Sequence, residues 1–223
     1  MTATAATRAS AYDVRSALVP GLTVVCAGLA VGIGTQVMQG VLSGSWSVLA
    51  NSGVMWALAA FGLGAVLPTA RWAMAGGAAH LVIASFAYYE AVEWFERSSS
   101  DVSRSVIWAL AGVIAGVVFG LAGHWCVRRS AWRGPSLALI SGVLVGEGMH
   151  LSRMVDDAAL RTAGTAELLV AAAIGVAAFV AAARHAPSAA RNRVVTTTAV
   201  ALAGSAWLTV GVSRVIGVAL SAG

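Results

Sequence analysis

SVIWALAGVIAGVVFGLAG, at residues 105–123, is a stretch without one charged side chain. About 20 consecutive apolar residues are enough to cross the hydrocarbon core of a bilayer as an α-helix. Similar runs precede and follow this stretch, and we predict seven spans, at 17–39, 51–68, 72–94, 104–125, 135–156, 163–184 and 194–218. The predicted fold is therefore all-α: a polytopic membrane protein built as a seven-transmembrane-helix bundle.

The composition of the whole chain favours the same class. Of 223 residues, 59% are hydrophobic and 10% are charged, and the mean hydropathy is +0.83. Soluble domains are about 45–50% apolar and about 25% charged, so this chain has too little charge for a water-facing surface. We predict a cytoplasmic N-terminal tail at 1–16, a single transmembrane domain at 17–218 and a short C-terminal tail at 219–223.

The arginines predict the orientation, because cytoplasmic loops are enriched in basic residues. The larger set of loop arginines comprises Arg8, Arg15, Arg71, Arg128, Arg129, Arg133, Arg184, Arg191 and Arg193, and the smaller set comprises Arg97, Arg104 and Arg161. The N-terminus is then cytoplasmic and the C-terminus outside. A chain rich in Ala, Val and Gly and without lysine is typical of a bacterial genome, so we expect a multi-pass protein of the bacterial inner (plasma) membrane.

Acidic side chains inside two of the spans are the first functional candidates, because ionisable groups in a membrane are costly and usually face a cavity. Glu90 lies in the third span and Glu147 in the fifth. His150 shares a helix face with Glu147, and Arg153 is adjacent. Arg153 also fits a solvated loop cluster, which leaves its role open.

Aromatic and polar residues accompany Glu90 in the third span. One stripe at helical spacing consists of Phe86, Glu90, Glu93 and Trp94, and it is flanked by Tyr88 and Tyr89. We predict that this stripe faces the stripe that contains Glu147. For Glu93 the alternative is an interfacial position without function.

Further candidates lie in the outer halves of other spans. Asn51, Trp56 and Trp108 lie there, and Trp207 lies deep in the last span. Aromatic faces beside carboxylates can stabilise a cation, although packing is the alternative role of each tryptophan. Glycines recur every fourth residue at Gly112, Gly116 and Gly120 and again at Gly142 and Gly146, a spacing that lets helices approach closely in lipid.

Other classes of site are not supported by the sequence. Four scattered histidines and two distant cysteines, Cys26 and Cys126, predict no metal site. No aspartate-rich magnesium motif and no nucleotide-binding loop occurs, so we expect no cofactor. The arginines fall in separate loops, which argues against nucleic-acid binding. The expected partners are a lipid-soluble small molecule and membrane lipids, and a homo-oligomer stays open.

Short motifs carry a resemblance to known families. They are Asn51-Ser52-Gly53 with Trp56, the pair Tyr88-Tyr89, Gly120 to Gly123, and Glu147-Gly148. On these motifs the chain resembles a family of small seven-span bacterial membrane proteins of uncharacterised function. More loosely, it resembles the membrane-bound class II terpene cyclases of meroterpenoid and indole-sesquiterpenoid pathways. In those enzymes two intramembrane acids start cyclisation, and the resemblance implies Glu90 and Glu147 for that role.

The leading functional hypothesis is a class II terpene cyclase that acts on a prenylated, polyene or epoxide substrate. Glu147 donates the proton and Glu90 serves as second acid or terminal base. The pocket-lining residues expected to stabilise carbocations are Tyr88, Tyr89, Trp56, Trp108, Phe86 and Trp207, and the supporting polar residues are His150, Asn51, Glu93 and Arg153. The alternatives are a small proton-coupled transporter or substrate-capture subunit, and a structural or assembly protein.

Overall fold

The computed structural model describes residues 3–96, 102–153 and 157–221, with side chains described for 17–96, 102–153 and 157–211. Within these ranges all regular structure is helical, as the sequence predicts. The helices are α1 (Ala3–Val41), α2 (Ser45–Ala50), α3 (Gly53–Val66), α4 (Ala70–Glu96), α5 (Val102–Arg128), α6 (Ser130–Ser152), α7 (Ala158–His185) and α8 (Arg191–Ser221), with a 3₁₀ turn at Ser188–Ala190 before α8.

Four of these helices are long and apolar enough to cross a membrane: Ala17–Val41, Val102–Arg128, Ala158–His185 and Ser188–Gly211. Much of their surface faces outward, as expected of helices that contact lipid. At 14 residues α3 is too short to span the core alone, because a helix rises about 1.5 Å per residue. The chain therefore has the helices of a membrane protein, and four of the seven predicted spans meet the requirement of length and composition.

Helices continue into both segments that were predicted as tails. Residues 3–16, predicted as a polar tail, continue α1, since this stretch is rich in alanine, the strongest helix former. Helix α8 likewise extends past residue 218 to Ser221. The side chains of Arg8, Arg15 and Arg97, used above for orientation, lie outside the described part of the chain.

The helices pack as two groups. In the first, α4 packs on α1 and α5, and α3 packs on α5; in the second, α6 packs on α7 and α8. Contacts of α6 with α5 and α3 join the groups. Short connections make α4 and α5, and α6 and α7, antiparallel neighbours, so that the C-terminal half of α6 lies beside the N-terminal half of α7.

Glycines bring α3, α4 and α5 together at the glycine crossing, which consists of Gly64, Gly77, Gly116 and Gly120. Gly77 and Gly116 lie against each other's carbonyl groups, and Gly64 lies against the Gly120 carbonyl. A Cβ atom on any of these residues would overlap a neighbouring backbone. The close approach predicted from the spacing of Gly116 and Gly120 is confirmed here.

Basic residues gather at one end of the bundle. Arg128 Nη1 donates a hydrogen bond to the Ala65 carbonyl at the end of α3, at 2.9 Å. Arg133 Nη1 and His185 Nε2 are 3.3 Å apart, which joins the start of α6 to the end of α7. A cation at a helix C-terminus complements the helix dipole. The candidate site lies toward the other ends of the same helices.

Candidate functional site at the N-terminus of α3

Glu147 projects from α6 onto the first turn of α3. The Gly53 N–H donates to Glu147 Oε1 at 3.1 Å, and the Val54 N–H donates to Oε2 at 3.0 Å. These two N–H groups have no partner within their own helix, and the N-terminus is the positive end of the helix dipole. Glu147 thus binds a helix N-terminus with both carboxyl oxygens.

A second acid, Glu167 of α7, reaches the same turn through Ser52. The Ser52 hydroxyl donates to Glu167 Oε1 at 2.9 Å and accepts from the Val54 N–H at 3.2 Å. Glu167 is only 4% exposed, and its Oε2 atom has no hydrogen-bond partner among the described residues. The two carboxyls are close enough to repel each other when both are charged. We call Ser52, Gly53, Glu147 and Glu167 the acid site.

Two glycines explain why the acids come together. A Cβ on Gly148 would lie 2.8 Å from the Gly164 carbonyl oxygen and 3.3 Å from Glu167 Cβ. A Cβ on Gly164 would likewise lie 2.6 Å from the Gly148 carbonyl oxygen. Without side chains at this crossing, α6 and α7 approach closely enough for acids next to the glycines to share one site. In the motif Glu147-Gly148, the acid is thus followed by the glycine that lets α7, which carries Glu167, approach closely.

Tyr88 of α4 organises an aromatic cluster around the start of α3. Its hydroxyl donates to Gln39 Oε1 at 2.9 Å and accepts from Asn51 Nδ2 at 3.3 Å. The Tyr88 ring meets Trp56 edge-to-face at 6.0 Å and Tyr89 edge-to-face at 5.2 Å between centroids. The Nε1 atom of Trp56 is buried, and no described residue pairs with it. Two polar atoms, a donor on Trp56 and an acceptor on Glu167, are therefore unpaired around the first turns of α3.

The structure brings some of the predicted residues to this end of the bundle. Asn51, Trp56, Tyr88 and Tyr89 lie around the start of α3, as just described. His150, half-buried and one turn beyond Glu147, is close enough to act on the Glu147 charge. Tyr88 contacts Trp56 and Glu147 contacts Gly53, so both side chains reach the first turns of α3 from different helices.

Other predicted residues lie elsewhere. Glu90 and Phe86 line a lateral groove between α1 and α4, and none of the groove's lining residues belongs to the acid site. The expectation that Glu90 faces Glu147 is therefore corrected: the carboxyl beside Glu147 is Glu167. The stripe of Phe86 and Glu90 faces α1 because the opposite face of α4 is occupied by the glycine crossing with α5.

The remaining candidates are exposed. Trp108 on α5 is 40% exposed and Trp207 on α8 is 75% exposed. Glu93 is exposed near the end of α4, and Arg153 is the exposed C-cap of α6. The buried residues of α5 and α8 are mostly small, among them Gly112, Gly116 and Ser205.

Sequence reasoning missed Glu167, Ser52 and Gln39 as site residues. Glu167 carried the same signal that identified Glu147, an acid inside an apolar run. Ser52 carried a helix-start signal, since serine is a preferred N-cap residue. Gln39 gave no signal beyond its polarity. Within the described residues, no group of three His, Cys, Asp or Glu side chains is arranged to hold a metal ion.

Long apolar helices with buried carboxyl groups at one end define the class as helical membrane protein. The chain belongs to a family of unknown function, DUF6518, whose model matches residues 11–218. Curated proteins and solved structures give no match. The resemblance to an uncharacterised family is thereby confirmed, whereas the looser resemblance to terpene cyclases gains no support from these comparisons.

Proposed function

We propose that the protein is an integral membrane enzyme that protonates a lipid-soluble prenylated, polyene or epoxide substrate and so starts its cyclisation, the chemistry of class II terpene cyclases. One observation carries this proposal: two carboxyls share the start of α3, and one oxygen, Glu167 Oε2, is buried without a partner. A buried oxygen without a donor is suited to carry a proton. The Trp56, Tyr88 and Tyr89 rings, which pack edge-to-face, lie around the start of the same helix.

In this proposal the acid site holds one proton between two carboxyls. Glu147 takes the negative charge, because two backbone N–H groups and a helix N-terminus stabilise it. Glu167 takes the proton, since burial disfavours its charged form even without a neighbour, and a second charge so close in a medium of low polarity is unfavourable. The donor is thus Glu167, and the role of second acid that the sequence suggested for Glu90 passes to Glu147.

The proposed reaction is an isomerisation whose atoms balance. The Glu167 O–H bond breaks as the π electrons of a substrate alkene form a C–H bond, which leaves a carbocation on the chain. The aromatic faces of Trp56 and Tyr88 stabilise that cation. Ring closure moves the positive charge, and loss of a proton from the cyclised cation to the Glu167 carboxylate restores the acid.

A product assay with matched variants tests the proposal. Membranes containing the protein are incubated with prenylated and polyene candidates, and cyclised products are identified by mass spectrometry. Glu167→Gln keeps the shape but removes the acid, so turnover should fall by about 10²–10⁴-fold. The control is Glu96→Gln, because Glu96 pairs with Gln36 Nε2 at 2.7 Å, outside the acid site, and should leave turnover unchanged. Equal turnover in Glu167→Gln and the parent, or no cyclised product from any candidate, would overturn the proposal.

Proton-coupled transport is the second candidate function, and one observation favours it. Helices α2 and α3 form an interrupted helix, and the N-terminus of α3 points at a buried carboxyl. Interrupted helices with exposed N-termini are a recurrent feature of transporter sites. Proton uptake into proteoliposomes that depends on an added solute and is lost in Glu147→Gln would favour transport over catalysis.

We further infer that α1, the segment of α2 and α3 together, and α4 to α8 form seven spans in a bacterial plasma membrane, with a cytoplasmic N-terminus. The arginine-rich helix ends at Arg128 and Arg133 support this orientation. The test uses Cys26→Ser and Cys126→Ser with one new cysteine, at Ser43 or at Ser188. In intact cells a membrane-impermeant maleimide should label Ser43→Cys and spare Ser188→Cys, and the reverse pattern would contradict this topology.

A further inference from the structure

A lateral groove of about 630 Å³ lies between α1 and α4. Leu29 and Ile33 of α1 form one wall, and Phe86, Glu90 and Trp94 of α4 contribute to the other. The groove is apolar apart from the Glu90 carboxyl, which is the sole charged group among its lining residues. Its volume is within the range of about 300–1,000 Å³ that is typical of small-molecule sites.

Glu90 is exposed in this groove, and no described residue donates a hydrogen bond to its carboxyl or forms an ion pair with it. Other acids of the described chain are engaged: Glu147 binds the start of α3, and Glu96 accepts from Gln36. An acid in an apolar, lipid-facing position is costly without a partner. The groove thus offers a negative charge that the protein itself leaves uncompensated.

Aromatic residues stand on both sides of this charge. Phe86 and Trp94 lie one helical turn before and after Glu90, on the same face of α4. Both rings are accessible, with Phe86 44% and Trp94 81% exposed. Aromatic faces attract cations, quaternary ammonium groups among them, and a neighbouring carboxylate adds a charge of the complementary sign.

We propose that this groove binds a lipophilic cation, an alkyl chain that ends in a quaternary ammonium group. The ammonium lies at Glu90 between Phe86 and Trp94, and the chain lies along Leu29 and Ile33. Charge complementarity and the aromatic flanks select a cation over a neutral lipid, because a neutral chain would leave the Glu90 carboxyl uncompensated. This binding site is independent of the proton chemistry proposed for Glu147 and Glu167.

A pair of probes that differ only in charge tests the proposal. Full-length protein in maltoside micelles is titrated with a radiolabelled long-chain alkyltrimethylammonium, below its own micellar concentration. The comparison probe is the neutral analogue, in which a carbon atom replaces the nitrogen and the chain therefore ends in a tert-butyl group. We expect the cation to bind at least tenfold more tightly than the neutral analogue.

Variants locate the binding. Glu90→Gln should remove the preference for the cation and leave binding of the neutral probe unchanged. Its control, Glu96→Gln, makes the same chemical change on the same helix outside the groove and should preserve the preference. Trp94→Leu should weaken cation binding by about two- to fivefold, the scale of an exposed cation–π contact, whereas Trp207→Leu should have no effect.

Three outcomes would overturn the proposal. They are equal affinity for the charged and neutral probes, full preference for the cation in Glu90→Gln, and equal loss of preference in Glu96→Gln. A dimer in size-exclusion chromatography that binds neither probe would also contradict it, because a second copy would then cover the groove. Each result can be obtained whether or not the acid site carries out cyclisation.

Discussion

The glycine crossing and the acid site both involve α3, yet they are built in opposite ways. At the glycine crossing, α3, α4 and α5 touch through their backbones, without a polar side chain between them. At the acid site, side chains from α6 and α7 reach the free N–H groups where α3 begins. The difference indicates that backbone contact brings the helices together, whereas the interruption between α2 and α3 leaves backbone N–H groups that bind acidic side chains.

The largest expected effect is at the glycine crossing. Gly116→Leu adds a side chain where the Gly77 backbone already lies, and the overlap cannot be relieved by a rotamer change. Overpacking typically costs about 1–3 kcal/mol, and a clash between two backbones lies at the upper end or beyond. We expect loss of folded protein, measured as yield and melting temperature in detergent.

Gly62→Ala is the matched control, because no atom lies within 4 Å of the position of its Cβ. Alanine is favoured over glycine inside a helix by about 0.5–1 kcal/mol, so this variant should be as stable as the parent or slightly more stable. If Gly116→Leu and Gly62→Ala melted at the same temperature, the backbone contact between α4 and α5 would be refuted.

The next largest effect concerns Glu147. Glu147→Ala removes the carboxylate that accepts from the Gly53 and Val54 N–H groups, and hydrogen bonds to charged groups contribute about 1.5–3 kcal/mol. Glu147→Gln retains one carbonyl oxygen as an acceptor and should lose less stability. The free energies of unfolding of the two variants, measured by denaturant titration, should therefore differ. Equal losses would mean that the hydrogen bonds to α3 do not contribute to stability.

Ser52→Ala should follow, with a loss of about 0.5–2 kcal/mol, the usual cost of removing an N-cap side chain. The serine hydroxyl also donates to Glu167, so its effect should depend on that residue. In a double-mutant cycle, Ser52→Ala should cost less in the Glu167→Gln background than in the parent. Strict additivity would show that the two side chains are not coupled.

The smallest effect is expected from Tyr88→Phe. The variant keeps the ring that packs on Trp56 but loses the hydrogen bonds with Gln39 and Asn51. A typical hydrogen bond contributes about 0.5–1.5 kcal/mol, and exposed Asn51 can bond to water instead. The melting temperature should decrease only slightly. A decrease as large as that of Glu147→Ala would contradict the expected order of the two variants.

The helices could be predicted because their signal is local. Runs of apolar residues gave every long helix, and the four-residue spacing of Gly116 and Gly120 gave the close approach of α5. The partner of each glycine could not be predicted, since Gly77 and Gly64 belong to other helices. Residues 3–16, predicted only as a polar tail, are helical because an alanine-rich sequence extends a helix even where it is polar.

The acid site could be predicted only in part. Glu147 is visible as an acid in an apolar run, but Glu167 and Glu90 carry the same signal. Which of them meets Glu147 depends on how α4, α6 and α7 pack, and that is set by glycines such as Gly148 and Gly164 on different helices. The spacing of side chains within one helix does not show which of the two acids lies beside Glu147.

Infrared spectroscopy of the purified protein tests most directly whether the acid site stores a proton. A protonated carboxyl has a carbonyl stretching band distinct from that of a carboxylate. We predict that one such band is present in the parent, is retained in Glu147→Gln and Glu96→Gln, and is lost in Glu167→Gln. Persistence of every protonated-carboxyl band in Glu167→Gln would contradict the account.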